Sequence, residues 1–352
     1  MKVRLMLKPY LVAAAMACLL FACATETLLA QSDSITLVAG RPVRGTVKSF
    51  TPDNIVVSTS DGDKNIAPWG VRMIRFDGSN ELVRAKSAYA DGRYTACLNE
   101  LQTLTDAPSR DLLTHEIDFY RAAASAQLAM QGGKISIDQA AREMNAFIKK
   151  YPNSYHLYPA MDMFGALAMA SGKFDAATAQ YAKTSTGPWP SLSFYGKLNS
   201  GKAELYSGNY DEAIAAFKAT EADPSAEDYA IQAKLIAQCL RAQALALAGQ
   251  PEVGRELVMQ IIENESSKNI ELFAHANNAL GVCYNEEQQT KEAIRAFLKT
   301  DLLFTLDPDS HAQALYHLVN LWAKSERPDR AASARQKLTQ RYRNTYWASK
   351  LK

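Results

Sequence analysis

The chain has 352 residues, a net charge of +2, 47% apolar and 22% charged residues. That length is too great for one compact core and ordinary for a chain built of stacked units. Five cysteines without a C-x-x-C spacing exclude a zinc or redox motif of that type, and a balanced charge gives no footing for nucleic-acid binding across the whole chain.

The first thirty residues read as a targeting segment rather than as structure. Lys2, Arg4 and Lys8 form a basic start, and Tyr10 to Cys23 is an uncharged apolar run too short to span a bilayer comfortably. Ala22-Cys23-Ala24 is one cleavage option and Leu28-Leu29-Ala30 another. Leu20-Phe21-Ala22-Cys23 also resembles a bacterial lipobox, which would make Cys23 a lipidated N-terminus. The expectation is export, to the periplasm or to a membrane anchor facing it.

Residues 31–78 form a small β module. Ile35 to Val38 alternates before Gly40-Arg41-Pro42. Val43 to Val47 follows, then a turn at Pro52-Asp53-Asn54. Ile55 to Thr59 leads into Asp61-Gly62-Asp63, a hairpin signal, and Ile66 starts another short run. Val71 to Phe76 alternates again. Five short strands predict an antiparallel barrel similar in outline to SH3-like or Sm-like modules. It would bind a ligand or cap the first helical unit. Ser79 or Asn80 is placed to cap the first helix.

Residues 79–352 read as helix pairs with a period of 36 to 43 residues. One copy has Gly201, Gly208, Tyr210, Ala213, Phe217 and Pro224. A second has Leu280, Gly281, Tyr284, Ala293, Phe297 and Pro308, and a third has Phe164, Gly165, Gly172, Phe174, Ala177 and Tyr181. In each, a small residue on the first helix admits the second helix closely, and an aromatic follows one turn after the second helix's alanine. The small-residue series Cys97, Ala140, Ala177, Ala213, Gly254, Ala293, Ala331 predicts seven pairs. This order of residues resembles the tetratricopeptide repeat family. Tyr151-Pro152-Asn153-Ser154 and the terminal stretch Ala314 to Ala348 look like bacterial envelope members of the Tol-Pal accessory or outer-membrane assembly lipoprotein type.

The resemblance implies an α-solenoid whose first helices line a concave face that binds extended or helical peptides of envelope proteins. Counted from the packing glycines, the groove candidates are Tyr195, Asn199, Lys202 and Tyr206; Asn278, with His275, Val282 and Asn285; and Tyr316 and Asn320, with Gln313, His317 and Lys324. Asn side chains could hydrogen-bond a peptide backbone and Lys202 a carboxylate. Residues 324–352 carry nine Lys or Arg against Glu326 and Asp329, a net +7. They offer an alternative reading, contact with an anionic membrane or cell-wall surface.

No chemistry of catalysis is legible. Gly196 to Ala203 imitates a phosphate loop but ends in Ala203 and overlaps the packing Gly201. His115, His156, His275, His311 and His317 have no metal-ligand spacing. Cys97, Cys239 and Cys283 read as small buried apolar residues, with a Cys239–Cys283 bridge as the alternative. The sequence therefore predicts a non-enzymatic interaction scaffold with no cofactor and no metal.

Overall fold

A computed structural model describes residues 32–104 and 110–351. Residues 1–30, read above as a targeting segment, lie outside the described residues, and Cys23 with them.

The N-terminal sheet has five antiparallel strands: β1 (Asp33–Leu37), β2 (Val43–Phe50), β3 (Ile55–Thr59), β4 (Gly62–Ile66) and β5 (Val71–Arg75), in the order β4-β3-β2-β1-β5. β2 divides its pairing. Its first residues meet β1 and its later ones meet β3, with a register shift between Val47 and Ser49. Two residues before that shift β2 passes close to β3 at Gly45, where a Cβ would sit 2.2 Å from the Ser58 carbonyl oxygen. The result is a small antiparallel five-stranded sheet in which β4 and β5, the two end strands, do not pair, rather than the closed barrel expected from the sequence. Its apolar side (Ile35, Val47, Ile55, Val57, Ile74) merges with Leu82, Ala85 and Leu113 of the helices and with Phe76 and Tyr155 of the connecting segments. The module thus covers the edge of the helical stack, which would otherwise expose apolar surface.

Seven helix pairs follow: α1 (Asn80–Ala90) with α2 (Tyr94–Gln102), α3 (Asp111–Met130) with α4 (Ile137–Lys150), α5 (Leu157–Ala170) with α6 (Phe174–Ser185), α7 (Pro190–Ser207) with α8 (Tyr210–Glu221), α9 (Asp228–Leu247) with α10 (Pro251–Asn264), α11 (Ile270–Glu286) with α12 (Thr290–Leu303), and α13 (Pro308–Lys324) with α14 (Pro328–Arg341). A short α15 (Tyr346–Ser349) ends the chain. Every residue of the predicted small series is the fourth of its second helix. Six are buried; Ala331, in the last pair with no full helix beyond it, is half-buried.

The packing rule is concrete. A Cβ on Gly165, Gly201 or Gly281 would lie 2.6, 2.9 or 2.7 Å from the ring of Tyr181, Phe217 or Phe297. In each case the glycine on the first helix is the seat of the aromatic sixteen residues later. An added methyl would force the ring out of a close-packed core. Gly208 ends α7 in the left-handed conformation at φ +94°, which a side chain rarely adopts. Pro308 opens α13, and Asp307 caps it by accepting from Ser310 N at 3.0 Å. Ser79 holds the cap position of α1, but its hydroxyl donates backwards to Phe76 O at 2.6 Å. Cys97, Cys239 and Cys283 are all free and buried, so the alternative of a Cys239–Cys283 bridge is not realised; burial pushes the Cys97 and Cys283 thiols up to about 11 and 12. Gly196 to Ala203 lies inside α7, where its amides are committed to the helix. No described helix is long and apolar enough to cross a membrane.

Candidate functional site

The first helices do face inward, but the solenoid winds tightly enough that α7 of the fourth pair meets α13 of the seventh across the axis. Lys202 Nζ lies 2.5 Å from Asp309 Oδ2, and the Tyr206 hydroxyl donates to the same oxygen at 2.8 Å. The concave face is therefore a lumen. Its main cavity measures about 640 Å3. Met130, Met163, Met169 and Ala166 form an apolar wall from α3 and α5. Asn199, Lys202, Tyr206 and Asp309 form a polar wall, and Arg341, Tyr342 and Tyr346 bound it from the C-terminal side.

Charge in this lumen is concentrated at the starts of α11 and α13. Burial disfavours a charge on Lys202, yet Asp309, Asp307 and Glu271 outweigh it and hold the ammonium above its ordinary range. Burial also works against an Asp307 carboxylate, but His275, Lys202 and the Ser310 hydrogen bonds keep it below its usual value. Glu271 is raised by burial and by Asp307. On α5, one turn before Ala166, burial lifts Asp162 to about 6 with no compensating cation, and its Oδ1 is buried without a hydrogen bond.

The predicted groove residues divide. Asn199, Lys202 and Tyr206 line the main cavity. Tyr195 is half-buried two turns earlier, and burial, helped by the charge of Glu271, pushes its hydroxyl up. Tyr316 lines a second cavity of about 350 Å3, with Tyr206, Leu247, Val282 and Trp347. Asn320 is exposed and donates to Tyr316 O at 3.1 Å. Asn278 is not a groove residue. It is 1% exposed and its amide donates to Ser310 O at 2.8 Å and Gln313 Oε1 at 3.1 Å. It stands three residues before Gly281, the place of the core residue Leu198 before Gly201, so it faces the next pair. His275, Gln313 and Val282 are buried as well. His317 is half-buried and lies flat on Phe297, its ring centroid 4.6 Å away; burial depresses it to about 3.

The basic C-terminal cations make mostly local contacts. Lys337 binds Asp301 at 2.7 Å, Arg335 Nη1 donates to Leu351 O at 3.2 Å, and Arg330 lies over Trp322 at 4.6 Å. Sequence reasoning missed Asp309, Asp162, Glu271 and Trp347. The signal available was a charged residue on an otherwise apolar helix: Asp162 is the one charge in α5.

A second charge cluster, also missed, lies where the first two pairs meet the sheet. Lys86, Glu116 and His156 are fully enclosed. Lys86 pairs with Glu116 and donates to Ile74 O at 2.8 Å, and His156 Nε2 is 2.9 Å from Glu116 Oε1. Burial opposes the charge on Glu116, but Lys86 and His156 overcome it and hold the carboxyl at about 2. Burial by contrast pulls Lys86 below its ordinary value despite the same partner. The geometry supports the ion pair, since the ammonium is shared between a carboxylate and a carbonyl. Among the described residues no group of side chains has the makings of a metal site.

No protein-family model matches this sequence, and no curated protein matches it either. Among solved structures, the chain is similar to a tetratricopeptide repeat protein from Parabacteroides merdae ATCC 43184. Identity there is 12% over 74% of this chain and 92% of that one, with a TM-score of 0.53. It is similar also to NprR in complex with its cognate peptide NprX, at 14% identity over 77% of this chain and 81% of that one, with a TM-score of 0.51. At these identities the likeness is one of fold, a tetratricopeptide-type solenoid.

Proposed function

We propose that this chain is a non-enzymatic interaction scaffold that takes a peptide segment of a partner protein into its lumen. The observation that carries the reading is the cavity of about 640 Å3 between α3, α5, α7 and α13. Its volume suits a short segment. Its methionine wall adapts to varied side chains, and Asn199, Lys202 and Asp309 offer a peptide backbone polar partners. NprR, of similar fold, has been solved with a peptide. The finer part of the proposal places the scaffold in the bacterial cell envelope. That rests on the basic-then-apolar start of the sequence and on its resemblance to envelope repeat proteins of the Tol-Pal accessory or assembly lipoprotein type.

The test is in-cell photo-cross-linking. A benzophenone amino acid replaces Asn199 in the lumen or Lys218 on the outer helix α8. Discrete adducts to exported proteins are expected from position 199 and not from 218. The same adducts from both positions, or none from 199, would overturn the lumen as the receiving surface. Adducts only to cytosolic proteins would overturn the envelope assignment.

A further inference from the structure

One segment already occupies part of this lumen, and it belongs to the chain itself. After α14 the backbone turns at Tyr342–Thr345, with Thr345 N donating to Tyr342 O at 2.9 Å. The Thr345 side chain then caps α15 by accepting from Ala348 N at 3.3 Å. From there the segment touches distant pairs. Asn344 Nδ2 donates to Ala129 O at 2.8 Å and Arg343 Nη2 to Gly133 O at 3.4 Å, both at the end of α3. The Tyr346 ring lies edge-on to Phe174 at 4.9 Å and stacks on Tyr206 at 5.6 Å. Trp347 Nε1 donates to Asp309 Oδ1 at 3.1 Å. Lys350 Nζ sits 5.1 to 5.7 Å from the ring centroids of Tyr316, Tyr346 and Trp347.

We propose that the inner face formed by the start of α6 with α7 and α13 is a receptor for a peptide with two adjacent aromatic residues followed by a cation. Residues 342–350 are the resident copy of that ligand, which a partner displaces. This rests on the lumen being the receiving surface and adds the chemistry of the partner and the regulation of the site.

Three features argue for a resident ligand rather than a permanent part of the core. The first is chemical matching. The receptor supplies aromatic faces (Phe174, Tyr206, Tyr316) and carboxylates (Asp309, Asp307, Glu271), and the segment supplies aromatic rings, an indole N–H and cations. The second is fit. Tyr346 borders both the 640 Å3 and the 350 Å3 cavities, so the segment lies between two voids. The aromatics of the repeat core, by contrast, sit in glycine seats with no room for a methyl group. The third is the length of two of its polar ties. Tyr346 Oη to Tyr206 O and Arg343 to Gly133 O are each 3.4 Å, longer than ordinary hydrogen bonds. Tyr342, whose hydroxyl lies 2.7 Å from His311 Nδ1, and Trp347, 4% exposed, pack into the core of the last pairs and keep the segment seated at rest. Because the segment is tethered, it competes at a millimolar effective concentration. An outside peptide binds well only when it outcompetes that resident.

The test uses a fluorescent synthetic peptide of residues 340–352 and anisotropy titrations against the chain from Gln31. Wild type should bind weakly. Tyr346→Ala changes no side chain of α6, α7 or α13 and removes one ring of the resident, so it should bind the peptide at least about ten-fold more tightly, the factor expected when a competent state populated in one molecule in ten becomes dominant. A chain ending at Arg341 should bind at least as tightly. A peptide with both aromatics changed to Ala should bind none of them. Circular dichroism checks each fold; if the shortened chain loses helix, the Tyr346→Ala chain decides. Binding no tighter than wild type, or equal binding of the aromatic-free peptide, overturns the inference. Cross-links from position 199 together with such a failure would sink the resident-ligand idea and leave the proposed function standing. Tight peptide binding without cross-links would do the reverse for the envelope partner.

Discussion

Two regions of this molecule set a lysine against carboxylates, and they do so in opposite ways. At the joint of the sheet with the first two pairs, Lys86 and Glu116 have side chains 1% and 0% exposed, and a carbonyl and a histidine complete the shell. In the lumen, Lys202 and Asp309 remain 17% and 33% exposed and border a cavity. The sealed cluster has no path to a ligand; its work is to fix how the β module sits on the stack. The open cluster has spare capacity, because Asp309, Asp307 and Glu271 set three carboxyl groups around the one ammonium of Lys202. The lesson is that ionic chemistry alone does not mark a site. Enclosure decides between a joint and a receptor.

The largest expected effect breaks the sealed side. Glu116→Gln leaves Lys86 buried and unpaired, and should cost about 3–5 kcal/mol in urea unfolding. Replacing Lys86 by Met and Glu116 by Leu together should recover most of that loss. A cost below about 1 kcal/mol for the single change would mean that water reaches the cluster and the contrast fails.

Next in size is Asp162→Asn. The Asp162 pKa is raised to about 6, so its neutral form is the one the fold prefers. The stability tied to that proton is fully present below the ordinary value near 3.8 and is lost as pH rises through about 6. The amide should therefore stabilise the fold by about 2–3 kcal/mol at pH 8 and by nothing measurable at pH 3.5. Thermal melts of both chains at the two pH values check this. An equal effect at both would assign the change to packing.

The smallest is Asp309→Asn. The pair is partly solvated and the amide still accepts a hydrogen bond, so the cost should be about 1 kcal/mol. The readout that matters is Trp347 fluorescence, which should shift as the indole loses its charged acceptor. An unshifted spectrum with unchanged stability would remove Asp309 from the account of the lumen.

Much of the fold is legible in the sequence because repeat packing is local. A glycine on one helix and an aromatic sixteen residues later report a contact within a single pair, and the small residue falls at the fourth position of all seven second helices. The lumen is not legible in the same way. Lys202 meets Asp309 across 107 residues only because small rotations between successive pairs add up to a closed turn. No local pattern encodes that sum. Counting from the notch glycine found Asn199, Lys202 and Tyr206 but slipped by one at Asn278, which took the place of a core leucine. The basic C-terminus reads as a surface feature, yet Arg343 and Lys350 turn toward the stack's own carbonyls and rings. Lys86 and Glu116 could have been seen as charges on apolar stripes, between Leu82 and Tyr89 and between Leu113 and Tyr120.

The contrast between joint and receptor is tested most directly by running Glu116→Gln and Asp309→Asn side by side, with urea unfolding and photo-cross-linking from position 199 as paired readouts. The account predicts that Glu116→Gln loses several kcal/mol yet gives wild-type adducts from its folded fraction, whereas Asp309→Asn stays near wild-type stability and changes its adduct pattern. If Glu116→Gln altered the adducts at intact stability while Asp309→Asn left them unchanged, the assignment of the two clusters would be contradicted.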